Sequence, residues 1–101
     1  MTSNEMKTMQ QHAENAADLM KALSHKSRLM ILCLLSEGEL CVGDLLKHSD
    51  LSQSSFSQHL LVLRKSCLVK TRKERQMVYY SLADNKSKQV IHLLHDLYCK
   101  S

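Results

Sequence analysis

The sequence predicts a mainly α-helical domain carrying one β-hairpin, and three observations point there. Its apolar residues are Leu, Ile, Val, Met and Ala with one Phe, three Tyr and no Trp, a set that suits helix packing better than a β-sandwich. Pro is absent and the only glycines are Gly38 and Gly43, so tight turns are scarce. The apolar period is helical along most of the chain and changes only between residues 68 and 82. At 101 residues the chain makes one domain, with about residues 1–11 expected to be flexible.

Ala13, Ala16, Ala17, Met20 and Leu23 recur at helical spacing and predict a first helix over residues 13–23. Ser24 can cap a second helix, whose body at 28–35 is apolar on most sides and therefore central. Glu37 and Gly38 end it. A short helix is expected over 42–48, with Val42, Leu45 and Leu46 inward. After a tight connection at Ser49, Asp50 and Leu51, Ser52 begins a fourth helix reaching about Ser66, with Phe56, Leu60 and Leu63 as its buried stripe. Two β-prone runs, 68–73 and 76–82, flank Glu74 and Arg75 as a hairpin. Asp84 can cap a last helix reaching nearly to Cys99, with Val90, Ile91, Leu94 and Leu97 apolar. Helix, helix, short helix, helix, hairpin, helix is the order of a winged helix-turn-helix.

The formal charge of +4 does not by itself single out a polyanionic partner. The placement of the charge is more telling: Arg64, Lys65, Lys70, Arg72, Lys73 and Arg75 crowd one stretch that only Glu74 opposes. No apolar run reaches signal-peptide or membrane-span length, which predicts a soluble, cytoplasmic protein with no membrane partner. The buried stripe of the fourth helix leaves Gln53, Ser54, Ser57, Gln58 and Leu61 on other faces. A helix in the major groove presents its early residues to base edges, where Gln pairs with adenine and Ser meets either polarity. Ser55 and His59 lie nearer the flank, within reach of phosphate. Lys70, Arg72, Lys73 and Arg75 can follow the backbone or enter the minor groove. The competing reading is an ordinary solvated polar face, and the attached hairpin favours double-stranded DNA.

The motif LSQSSFSQHL (51–60), followed by Leu63-Arg64, Leu68-Val69 and VYYSL (78–82), resembles the ArsR/SmtB family of winged-helix repressors. Ala22-Leu23-Ser24, Arg28-Leu29, Ile31-Leu32 and ELCVGDL (39–45) fit the same pattern, so the resemblance spans about residues 16–99. It implies a homodimer formed by the first and last helices, an inverted-repeat operator, and release of DNA on binding an inducer. Two departures stand out. Cys67 replaces the Gly that usually closes the recognition helix, so a left-handed cap there carries strain of about 1 kcal/mol. Leu61 is apolar where a polar residue is usual.

The resemblance also frames the four cysteines. The family's third-helix metal site has Cys-Val-Cys, which here is Cys41-Val42-Gly43 with one ligand missing. In its last-helix site Asp84 matches, but Lys86, Leu97 and Lys100 stand where ligands are needed. His92 and His95, one turn apart, could chelate weakly, so a metal-responsive repressor using Cys41 or His92 and His95 is the alternative reading; no metal or cofactor is expected. Cys33 and Cys99, within Ile31-Leu32-Cys33 and LLHDLYC (93–99), resemble the HlyU-, BigR- and SqrR-like subgroup, which the family places among sensors of persulfides and related oxidants. That implies a redox switch in which the two thiols link within one protomer, with a small sulfur oxidant as inducer. A disulfide needs Cα atoms within about 7 Å, and inserted sulfur extends that reach. Cys99, beside Lys100, favours thiolate, whereas Cys33 sits among leucines. Cys41 and Cys67 read as bystanders. A small thiol enzyme is the remaining class, but the chain has no Cys-x-x-Cys, Gly-rich phosphate loop or Ser/His/Asp arrangement, so no enzyme is expected.

Overall fold

The computed structural model describes residues 1–83 and 86–98. In chain order its elements are α1 (Ser3–Leu23), α2 (Lys26–Leu35), β1 (Leu40–Cys41), α3 (Val42–Lys47), α4 (Gln53–Lys65), β2 (Val69–Glu74), β3 (Met77–Leu82) and α5 (Lys86–Tyr98). The strands form one antiparallel sheet in the order β1-β3-β2.

α1 starts ten residues earlier than the alanine spacing indicated. Thr2 caps it, its Oγ1 accepting from the Glu5 N–H at 3.1 Å. Met6 and Met9 continue the stripe of Ala13, Ala16, Ala17 and Met20 at the same spacing, and this whole stripe lies exposed. Only Leu19, Ala22 and Leu23, at the far end, reach the core. Ser24 does not cap α2, as the sequence suggested; it closes α1, its Oγ donating to the Lys21 carbonyl at 2.8 Å. The α2 cap is His25, whose Nδ1 accepts from the Ser27 N–H at 3.1 Å. Arg28 explains the exchange. Its Nε donates to the Ala22 carbonyl at 2.6 Å and its Nη2 to that of Lys21 at 3.3 Å, so α2 satisfies the last turn of α1.

α2 is central as expected, burying Ile31, Leu32 and Leu35 and touching α1, α4, α5 and β3. Gly38 follows it at φ +146°, a conformation that glycine alone adopts without strain. β1 was not anticipated: two residues are too few to show a period. Leu40 pairs with Tyr80 and Cys41 with Tyr79, which adds a third strand to the hairpin.

Ser52 caps α4 by accepting from the Ser55 N–H at 3.2 Å, and Phe56, Leu60 and Leu63 are buried as the spacing required. The helix ends in a Schellman motif. Cys67 holds φ +59°, its N–H donates to the Arg64 carbonyl at 3.1 Å, and the Leu68 N–H reaches the Leu63 carbonyl at 3.0 Å. Leu63 and Leu68 are both buried, the apolar contact that accompanies this turn. The hairpin turns at Arg75 and Gln76, one residue later than expected, since Glu74 still pairs with Met77. Ile91 anchors α5 in the core, while Leu93, Leu97 and Tyr98 are exposed. The expected cap at Asp84, and Cys99, lie outside the described residues.

The left-handed Cys67 gives a direct stability test. Cys67→Gly is expected to raise the unfolding free energy by roughly 0.5–1 kcal/mol, measured by urea denaturation under reducing conditions. An unchanged or lower midpoint would mean that the cap is unstrained.

Candidate nucleic-acid interface and thiol site

On α4 the positions 54, 57, 58 and 61 fall on one side of the helix, away from the Phe56, Leu60 and Leu63 stripe, and Gln53, nearly in line with Leu60, is open because it stands in the first turn. Gln53, Ser54, Ser57 and Gln58 are all exposed, and Leu61, 46% exposed, lies on the centre line of this band. Arg64 is exposed one turn beyond. The structure therefore gathers the sequence-predicted base-facing residues on one open surface, and it places Leu61 among them.

The two flank residues are engaged within the protein. The Ser55 hydroxyl accepts a hydrogen bond from that of Ser52 at 3.2 Å. The His59 ring packs against His25, with centroids 4.2 Å apart and planes tilted by 46°. Burial lowers the His59 pKa below its ordinary value, and the His25 and Arg28 charges lower it further. His59 thus joins the start of α2 to α4.

The basic hairpin divides in two. Lys70, Lys73 and Arg75 are exposed. Arg72 is held: its Nε and Nη2 donate to the two carboxylate oxygens of Glu39 at 2.8 and 2.7 Å, and its Nη1 donates to Glu74 at 2.6 Å. Its guanidinium also lies 4.5 Å over the Tyr79 ring. These bonds raise the Arg72 pKa further above its usual value, and the Arg72 guanidinium holds the Glu39 carboxyl below its own. Glu39 lies 33 positions from Arg72, and nothing local in the sequence marks it as the partner.

The cysteines occupy different settings. Cys33, half-buried on α2, lines a surface cavity of about 650 Å³ with Leu29, Met30, Leu34 and Glu37, and His95 of α5 lines it too. Cys99, four positions after His95, is outside the described residues. His92 lines a separate cavity beside Glu39, Lys70 and Lys88, so the two histidines of α5 do not share one. Cys41 is buried at the start of α3, and its thiol near Asp44 is the main influence holding that carboxyl below its ordinary pKa, with Lys47 adding to it. Cys67 is exposed at the α4 cap.

Residues 25–71 match a family described as "Bacterial regulatory protein, arsR family". The transcriptional activator HlyU of Vibrio cholerae is 46% identical over 96 residues, covering 95% of this chain and 89% of that protein. The biofilm growth-associated repressor of Xylella fastidiosa is 40% identical over 91 residues, 90% of this chain and 80% of that one. Among solved structures, reduced HlyU from Vibrio cholerae superposes with a TM-score of 0.88 at 47% identity, covering 93% of this chain and 99% of that one.

The depressed His59 pKa carries a pH dependence. The folded state favours the neutral ring, so its contribution is complete above the ordinary value of 6.5 and is lost as pH falls through the lower folded value. The urea midpoint of the wild-type chain is expected to drop between about pH 7.5 and 5.5 by more than that of His59→Gln. Equal drops in the two proteins would assign the acid sensitivity elsewhere.

Proposed function

The chain belongs to the arsR family of bacterial regulatory proteins, and from that premise we propose that it is a dimeric DNA-binding transcription regulator whose hold on an inverted-repeat operator is switched by linking Cys33 to Cys99. The observation that carries the DNA-binding part is the open face of α4, polar along Gln53, Ser54, Ser57 and Gln58 and backed by a fully buried stripe. In the major groove those side chains reach base edges, and Leu61 supplies an apolar contact for a thymine methyl. Arg64 and the exposed hairpin cations Lys70, Lys73 and Arg75 meet phosphates. The relatives are described one as an activator and one as a repressor. Occupying an operator serves either outcome, by blocking transcription or by displacing another repressor.

Dimerisation is supported by two unpartnered apolar surfaces. Met6, Met9 and Met20 stand out from α1, and Leu93, Leu97 and Tyr98 from α5. A dimer joined along these helices and reading an inverted repeat must present its two α4 helices one DNA turn apart, about 34 Å.

The thiol switch is supported by Cys33 on the helix that touches both α4 and α5, and by the description of a solved relative as reduced HlyU. In the cytoplasm both thiols stay reduced until an oxidant arrives. One thiolate takes the outer sulfur of a hydropersulfide, releasing a thiol. The second then attacks the Cys sulfur of that new persulfide and expels hydrogen sulfide. The two cysteines are oxidised to a disulfide and the donor is reduced. A bridge of this kind ties α5 to α2 and changes the angle at which the two recognition helices are held.

Binding is expected to weaken with salt at a log–log slope of about −0.9 for each phosphate neutralised, and Gln58→Ala to cost about 1–3 kcal/mol while relaxing the preference at one base pair. Fluorescence anisotropy on a duplex selected from a random pool measures both; salt-independent binding would refute DNA recognition through phosphates. For the switch, intact mass and peptide mapping after polysulfide treatment should show Cys33 joined to Cys99. Cys33→Ser and Cys99→Ser should stay on DNA under the same treatment, and release of both variants would eliminate the mechanism.

A further inference from the structure

Arg72 lies in the basic hairpin, where charge alone would assign it to DNA. Its guanidinium is instead engaged, at the surface, by groups of the protein itself, with Nε and Nη2 on Glu39, Nη1 on Glu74, and its plane over Tyr79. The placement of these groups matters. Glu39 directly precedes β1, Tyr79 sits on the middle strand β3, and Arg72 sits on the outer strand β2. Tyr79 pairs with Cys41 on one side and with Arg72 on the other. The cluster therefore crosses the whole sheet, from the connection after α2 to the strand that leads to the hairpin tip.

We propose that Arg72 is a positioning residue, which with Glu39, Glu74 and Tyr79 fixes the angle at which the hairpin leaves the body and keeps these bonds when DNA is bound. The inference rests on the DNA-binding reading above. Two physical arguments favour it over a phosphate contact. Withdrawing Arg72 would leave two carboxylates, Glu39 and Glu74, unpaired beside a polyanion. The forked pairing with Glu39 also occupies the two donors that would otherwise grip a phosphate in the same bidentate way. Phosphates fall to Lys70, Lys73 and Arg75, which are exposed as Arg72 is but, among the described residues, make no ion pair.

The test is anisotropy on the duplex that the wild-type chain selects from a random-sequence pool, with salt titrations of each variant. Glu39→Ala is expected to weaken binding about tenfold although it removes a negative charge, and Arg72→Lys to weaken it similarly although it keeps the positive one. The salt slope of Arg72→Gln should equal that of the wild type. Tighter binding by Glu39→Ala, wild-type affinity in Arg72→Lys, or a slope reduced by about 0.9 in Arg72→Gln would each overturn the proposal. A second measurement does not depend on the variants. The Nε–H proton of Arg72, followed by NMR in the wild-type protein, should keep its hydrogen-bonded shift on adding DNA, and losing it would also overturn the proposal. If the wild-type chain retained no duplex at all, the DNA-binding reading itself would fall, and this inference with it.

Discussion

The structure depends on how α4 is buried. A helix that reads DNA must hold one face dry and the opposite face open, and it must do so rigidly, because base contacts tolerate little error. Here Phe56, Leu60 and Leu63 supply the dry face, packed in one cluster with Leu32 of α2, Leu45 of α3 and Leu68 at the root of the hairpin. Leu32, Leu45 and Leu63 have no exposed surface at all. Interiors packed to this degree do not deform gradually, so the roll of α4 and the origin of the hairpin are set together. The Schellman turn strengthens the coupling. Leu63 ends the buried stripe and Leu68 begins the wing, and they are joined by a hydrogen bond of 3.0 Å and by apolar contact.

The same cluster places α2 between α1 and α5 on one side and α4 on the other. α2 gives Ile31, Leu32 and Leu35 to the core and turns Cys33 toward the cavity shared with α5. At its start Arg28 holds the end of α1, and His25 meets His59 of α4. Through α2, α5 is joined to α4 by two routes: the apolar core and the contact between the tilted His25 and His59 rings. α1 and α5 each meet α2, and Met6, Met9 and Met20 of α1 and Leu93, Leu97 and Tyr98 of α5 remain exposed.

What was legible in the sequence follows from how each signal is encoded. The stripe of α4 is periodic and local, and so is its cap at Ser52, whereas the left-handed turn at Cys67 is implied only by the family resemblance, which places a glycine there. The start of α1 was missed because residues 3–12 bury nothing, although Met6 and Met9 already extended the alanine stripe. Ser24 was given to the wrong helix because a serine between two helices can close one or open the other. The choice lay with Arg28, which bonds carbonyls six and seven residues back. Strand β1 escaped notice because two residues carry no period, and its existence depends on Tyr79 and Tyr80 far along the chain. Ser55 and His59 differ from Ser54 and Gln58 only by the angle at which they leave the helix, and the neighbours that engage them lie at Ser52 and on α2.

Charge is the least legible signal, because a count of cations treats all of them as available. The stretch from Arg64 to Arg75 reads as one basic surface, yet Arg72 differs from its neighbours once Glu39 is seen. Stability does not account for the pairing, because solvent screens exposed ion pairs and Arg72 and Glu74 are both well exposed. Geometry does account for it. A two-stranded ribbon is flexible about its root, and three directed hydrogen bonds together with a ring contact restrict that motion more than they lower the energy. The hairpin is thereby given a fixed direction from the middle of its length, while Lys70 on one side of Arg72 and Lys73 and Arg75 on the other keep the freedom to find phosphates.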